Sequence, residues 1–214
     1  HRHYRRTVEI ARRRGVPQEI VLSECTLLHA SMTLGEFGEV EKGIAELESM
    51  LGDLDDPQGA IAEIKLLRGL LRGLKGEWQA AVELTRQGRD DARRLGDLQM
   101  LFNSSESLAH FLLELYRFVE PQDLAEAEQA IQDAISIGDQ GIGSKVTPRC
   151  RLSMIRTLQG NHSDAHAILA DVQRSAGPRP SIWDELLIRH AEAELAAAEE
   201  RWEDAISACE AVVD

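Results

Sequence analysis

The amino-acid sequence predicts an all-α protein of about five helical hairpins with part of another leading them. Three observations carry this: a composition that favours helices, a motif recurring at roughly 40-residue intervals, and turn signals that fall where each helix must end.

Of the 214 residues, 43% are hydrophobic but only 4% are aromatic. Ala, Leu, Glu and Arg abound, and such side chains lose little rotamer freedom in a helix. Almost no strand is expected. The recurrence appears in five segments: LGEFGEVEKGI (34–44), KGEWQAAVELT (75–85), EPQDLAEAEQAI (120–131), QGNHSDAHAIL (159–169) and ERWEDAISAC (200–209). Each has a helix-ending turn, then a bulky residue (Phe37, Trp78, Leu124, His162, Trp202) and, three positions on, a small one (Val40, Ala81, Ala127, Ala165, Ala205). A bulky side chain in the first turn wedges a helix against its predecessor, and a small one lets the two backbones approach. Gly35, Gly76 and Gly160 stand where a left-handed residue closes the preceding helix. Apolar residues follow at helical spacing, as in Ile44 and Leu47, Ile131 and Ala134, or Leu169 and Val172.

A second recurrence closes the other half of each unit, in IARRRGVPQ (10–18), DARRLGDLQ (91–99) and AISIGDQGI (134–142). Arg12 to Arg14 and Arg93 to Arg94 fall in last turns, where cations offset the negative end of the helix dipole. In order, the patterns predict helices at 4–14, 18–34, 38–51, 58–74, 77–95, 97–118, 122–137, 145–159, 162–175, 181–199 and 202–213. Pro57, Pro121, Pro148, Pro178 and Pro180 all fall at turns or helix starts, and an irregular turn is expected near 118–122. Gly138 to Pro148 reads as a long loop between repeats, so 1–214 reads as one helical-repeat domain.

These residues resemble the tetratricopeptide repeat, whose second helix opens with Gly-Asp-Tyr and carries an Ala three positions after the Tyr. The small-residue anchors are separated by 41, 46, 38 and 40 residues, against a family period of about 34, so the helices are longer than standard. The resemblance implies a right-handed α-α superhelix, a solenoid whose first helices line a concave groove. The family's inward positions (second, fifth, ninth, twelfth, thirteenth) map in the first full repeat to Leu22, Cys25, His29, Met32 and Thr33. In the third they map to Asn103, Glu106, His110, Leu113 and Glu114; in the fourth to Thr147, Cys150, Met154, Thr157 and Leu158. In the last they are Leu187, His190, Glu194, Ala197 and Ala198. The candidates for binding a ligand or partner are His29, Met32, Asn103, Glu106, His110, His190 and Glu194, chiefly polar groups beside an apolar seam. The family's carboxylate clamp uses Lys and Asn where this chain has Cys25 and His29, which argues against a chaperone-tail receptor.

The formal charge of −13 disfavours a nucleic-acid surface. It is unevenly spread: residues 1–14 hold six Arg against one Glu, so the other 200 carry −18. No apolar run approaches the roughly 20 residues that span a bilayer, and no signal-peptide pattern appears. Cys25, Cys150 and Cys209 are three separate residues with no CxxC pair, which fits reduced thiols in the cytoplasm. The chain starts without Met and stops just after a helical segment, and reads as an excised piece of a longer polypeptide.

No catalytic constellation stands out. GDQGIGSK lacks the Gly-x4-Gly-Lys-Ser/Thr order of a P-loop, no Gly-x-Ser-x-Gly occurs, and Ser104 and Ser105 have no His at meaningful spacing. His162 and His166, at i and i+4, have the spacing of metal ligands but no evident third ligand, and ordinary surface and packing roles explain both. Asp55 and Asp56, or Asp90 and Asp91, lack the alternation of a calcium loop. Neither metal nor cofactor is expected. The long period resembles the helical arrays of large bacterial signalling proteins: ATP-dependent LuxR-type transcription activators, class III nucleotide cyclases and some Ser/Thr kinases. That likeness implies a non-catalytic scaffold for protein or intramolecular regulatory contacts, or alternatively a small-molecule effector sensor. Self-association through exposed end repeats is a further expectation.

Overall fold

The structure, a computed structural model, describes residues 1–119, 123–177 and 180–211. Among these it holds eleven α-helices and no strand: α1 (Arg2–Arg14), α2 (Pro17–Thr33), α3 (Phe37–Met50), α4 (Gln58–Leu74), α5 (Trp78–Leu95), α6 (Leu98–Phe118), α7 (Ala125–Asp139), α8 (Thr147–Leu158), α9 (His162–Ala176), α10 (Ile182–Ala198) and α11 (Trp202–Glu210). Every helix expected from the sequence is present, with ends shifted by a few residues. One unexpected element is a 3-10 turn at Leu51–Asp53 that extends α3. The expected helix start at 122, the turns at Pro121 and Pro178, and the expected continuation of the last helix beyond 211 lie outside the described residues.

The chain forms two compact units, His1–Phe111 and Leu112–Asp214, with the boundary inside α6. In the first unit α1 packs on α2, α2 on α3 and α4, α3 on α4, and α4 on α5. One apolar core joins α2, α3 and α4 through Leu28, Met32, Val40, Ile44, Leu47, Ile64, Leu67 and Leu71. The α4–α5 seam is closer because small residues line it. A Cβ placed on Gly69 would lie 2.7 Å from Cγ2 of Thr85, itself fully buried. In the second unit α8 packs on α7, α9 and α10, and α10 packs on α9 and α11. Both units therefore contain first helices, α2 with α4 and α8 with α10, that touch one another across the intervening second helix.

The turns follow a common hydrogen-bond plan. Gly35, Gly76 and Gly160 take φ of 74°, 77° and 75°. At each, the glycine N–H and the next N–H turn back to the last-turn carbonyls: Gly35 to Met32 and Glu36 to Ser31, Gly76 to Gly73 and Glu77 to Arg72, Gly160 to Thr157 and Asn161 to Arg156. This is the Schellman arrangement, which satisfies carbonyls a helix end leaves free. The fifth repeat makes the same pair of bonds, Glu200 to Ala197 and Arg201 to Ala196. There the left-handed position is filled by Glu200, at φ 60°, the one described non-glycine residue with positive φ. The arginines of the last turns do more than face the dipole: Arg12 donates to Glu24 at 2.5 Å, Arg14 pairs with Glu19, and Arg94 with Asp91.

The small anchors behave as their positions require. Val40, Ala81, Ala127 and Ala165 are wholly buried, and Ala205 nearly so. Of the bulky residues, Leu124 is buried and Phe37 and Trp78 are partly so. Trp202 departs from expectation: it is 61% exposed. Four residues after the anchor, Ile44, Thr85, Ile131 and Leu169 are buried, whereas Cys209 at the corresponding place on α11 is exposed. In the earlier repeats a further helix covers that face, as α4 does for α3 and α10 for α9; α11 packs chiefly on α10.

Candidate functional site: a two-chambered groove on the first unit

Two open depressions lie along the first helices of the first unit. One, of about 420 Å³, is lined by His29, Met32 and Thr33 of α2, Leu70, Gly73 and Leu74 of α4, Trp78 of α5, and His110 and Phe111 of α6. The other, of about 360 Å³, is lined by Gln18, Val21, Leu22, Cys25 and Thr26 of α2, Gly59, Ala60 and Glu63 of α4, and Asp97, Gln99, Met100 and Asn103 at the start of α6. The same three helices supply both, so together they form one groove.

The floor of the larger chamber depends on a missing side chain. A Cβ on Gly73 would lie 2.0 Å from Cε1 and 2.4 Å from Cζ of Phe111, so glycine is what admits that ring against α4. Phe111 is 2% exposed and faces Trp78 at a centroid distance of 6.4 Å and His110 at 5.3 Å. The result is an aromatic floor with a Leu70 and Leu74 wall, and Leu74 remains 53% exposed. Between the chambers stands a polar pair: the Nε2–H of His29 donates to Oε1 of Glu63 at 2.8 Å. Glu63 lines one chamber and His29 the other, so the pair divides the groove. In the smaller chamber Asp97 accepts the Met100 N–H at 2.8 Å, capping α6. Burial pushes the Cys25 thiol up to about 12, helped by the nearby Glu63 and Glu24 carboxylates, so it stays protonated. The chambers hold two carboxylates, two histidines and several amides and hydroxyls, but neither is lined by Lys or Arg.

Of the residues singled out from the sequence, His29, Met32 and His110 converge on the larger chamber and Asn103 lines the smaller. Glu106, between Asn103 and His110 on α6, is partly buried and lines neither. His190 and Glu194 belong to the second unit. There Glu194 accepts from His190 at 2.9 Å and from Arg117 at 2.6 Å, and Arg117 also binds Glu114 at 2.8 Å. Arg117, Glu114 and Glu194 are largely shielded, so this set reads as a structural network. The further positions Leu113, Cys150, Met154 and Thr157 are core residues.

Sequence reasoning missed Glu63, Leu70, Gly73 and Leu74 because the inward positions were not carried onto α4. The signal was available: counting back from Gly76 as from Gly35 gives Glu63, Leu66, Leu70, Gly73 and Leu74, and four of these five line the groove. Trp78 and Phe111 were not legible as groove residues; one belongs to a second helix and the other, next to His110, falls between the inward positions.

The histidines weighed as metal ligands have another partner. His166 bonds Glu199 at 2.9 Å, and His162 Nδ1 lies 3.9 Å from the same carboxylate. Arg201 chiefly, and then His166, hold the Glu199 carboxyl below its ordinary value. Among the described residues no three His, Cys, Asp or Glu groups are placed to hold a metal ion, and no helix is long and apolar enough to cross a membrane. Asp91 accepts from Lys65 and Arg94, and Asp90 pairs with Arg93.

No protein-family model matches the chain, and no curated protein matches it.

Proposed function

We propose that this chain is a non-catalytic binding module, a tetratricopeptide-like array whose α2–α4–α6 face takes a segment of a partner protein or of another domain of its own polypeptide. The observation that carries the reading is the shared register: three successive first helices place equivalent positions (Leu22, Glu63 and Asn103; His29, Leu70 and His110) along one groove. Side chains in such a row, on rigid helices, suit an extended ligand better than a point-like one. A cytoplasmic setting within a larger bacterial signalling or transcription-regulating protein agrees with the three free cysteines and with the long repeat period.

The test is selection of a displayed random-peptide library on the immobilised chain, with Leu74→Gln as counter-target. Leu74 is exposed, so its replacement leaves the core intact. The reading expects binders that distinguish the two; binders indifferent to Leu74 would count against the groove. A second reading, a small-molecule effector site, draws on the larger chamber, whose volume of about 420 Å³ and aromatic floor suit a compact apolar ligand. A thermal-shift screen separates the two. A metabolite at 100 times its dissociation constant adds about 2.7 kcal/mol of stability, whereas a peptide-only groove shows no such shift.

A further inference from the structure

The groove's charge and spacing narrow the kind of partner it fits, an inference that rests on the binding-module reading above. Along α2, α4 and α6 the residues lining one chamber lie about ten positions from those lining the other. At 1.5 Å per residue this puts the chambers roughly 15 Å apart. Both have apolar walls, and the ridge between them is the His29–Glu63 pair. Glu63 and Asp97 are the charged side chains that line them, with no Lys or Arg in either. A ligand carboxylate or phosphate would therefore find no Lys or Arg here, only the imidazoles of His29 and His110, whereas a ligand cation over the ridge would share the Glu63 carboxylate with His29.

We infer that the groove takes a basic amphipathic helix from a partner protein, with large apolar side chains at i and i+11 and Lys or Arg at i+4 and i+7. Those four positions share one helix face. Three turns span about 16 Å, which matches the chamber separation, and the two middle positions fall over the ridge. An extended strand shows i, i+2 and i+4 on one face, about 13 Å from first to last, which falls short of the chamber separation and sets one cation over the ridge where the helix sets two.

Four fluorescein-labelled, Ala-based 16-residue peptides test this against the intact chain by anisotropy. The first carries Leu at i and i+11 with Lys at i+4 and i+7. The second has Glu for both Lys, the third keeps both Lys but has its Leu pair at i and i+3, and the fourth is the first with a central Pro that breaks the helix. The expected result is binding of the first peptide, weakened at least tenfold in each of the others. Glu63→Gln should reduce the preference for Lys over Glu, and Leu74→Gln should weaken the first peptide. No binding by the first peptide, or equal binding of the Lys and Glu peptides, overturns the inference, and an unimpaired Pro peptide overturns the helical part of it. Tight binding unaffected by Leu74→Gln overturns the groove reading itself. Binding that depends on Leu74 but not on charge leaves that reading standing while the inference falls.

Discussion

Replacing Gly73 by Ala tests how the larger chamber is built. The new Cβ would stand 2.0 Å from Cε1 of Phe111 and 2.8 Å from its Cδ1, whereas carbon atoms in contact rest at about 3.5–4.0 Å. The ring would have to retreat by roughly 1.5 Å to restore such a contact. It has little room, being 2% exposed and flanked by Trp78 and His110. Overpacking of this kind costs about 1–3 kcal/mol, while Ala in place of Gly in a helix returns up to about 1 kcal/mol. The control lies on the same helix: a Cβ on Gly59 meets nothing within 4 Å, so Gly59→Ala keeps the propensity gain, smaller so near a helix start, without the clash. Urea unfolding followed by far-UV circular dichroism should place Gly73→Ala below Gly59→Ala by about 1–2 kcal/mol, roughly 0.5–1 M in midpoint. Equal stabilities for the two variants would refute the argument that Gly73 exists to admit the Phe111 ring.

Other consequences are as direct. Glu200→Gly should stabilise the chain by about 0.5–1 kcal/mol, because a left-handed L-residue costs about 1–2 kcal/mol and the entropy of a glycine offsets only part of that; Gly160→Ala, the reverse change at the matching turn, should destabilise by about 1 kcal/mol in the same assay. Lys65, at 2.5 Å, and Arg94 hold the Asp91 carboxyl below its ordinary value of 3.8. The stability this pairing contributes is present above that pH and lost as pH falls through the lower folded value, so Asp91→Asn should flatten the acid limb of a stability-pH curve below about pH 4. Burial pushes the thiols of Cys25 and Cys150 up to about 12, and Cys209 is exposed. A chromogenic disulfide reagent at pH 8 should therefore titrate one thiol rapidly in the native chain and all three after denaturation; fast reaction of two or three native thiols would contradict the burial of α2 and α8.

Helix positions were legible because their signals are local. A left-handed residue followed by a polar one, a bulky first-turn side chain and a small residue three positions on are all read within a dozen residues, and the turn bonds at Gly35, Gly76 and Gly160 answer to them. Even the fifth repeat, with Glu200 in the glycine's place, forms the same turn, because recurrence of the surrounding pattern outweighs one unfavourable residue. Trp202 shows the limit of such reading. Its motif matches Trp78, yet one ring packs near Phe111 and the other is largely exposed, since a wedge needs a neighbour that the motif does not contain.

The groove divides in the same way. His29, Met32, Asn103 and His110 could be chosen from one helix's periodicity, and they line it. Choosing Glu106 by the same rule gave a residue beside the groove, and His190 with Glu194 gave an ion-paired network with Arg117. The sequence by itself determined where helices begin and end and which of their faces are apolar, because capping and 3.6-residue periodicity act over one or two turns. Only the tertiary structure decided which faces meet. Side chains separated by 34 residues, such as His29 and Glu63, become partners through the stacking of α2 on α4, and a chamber exists where Gly73 leaves space for Phe111.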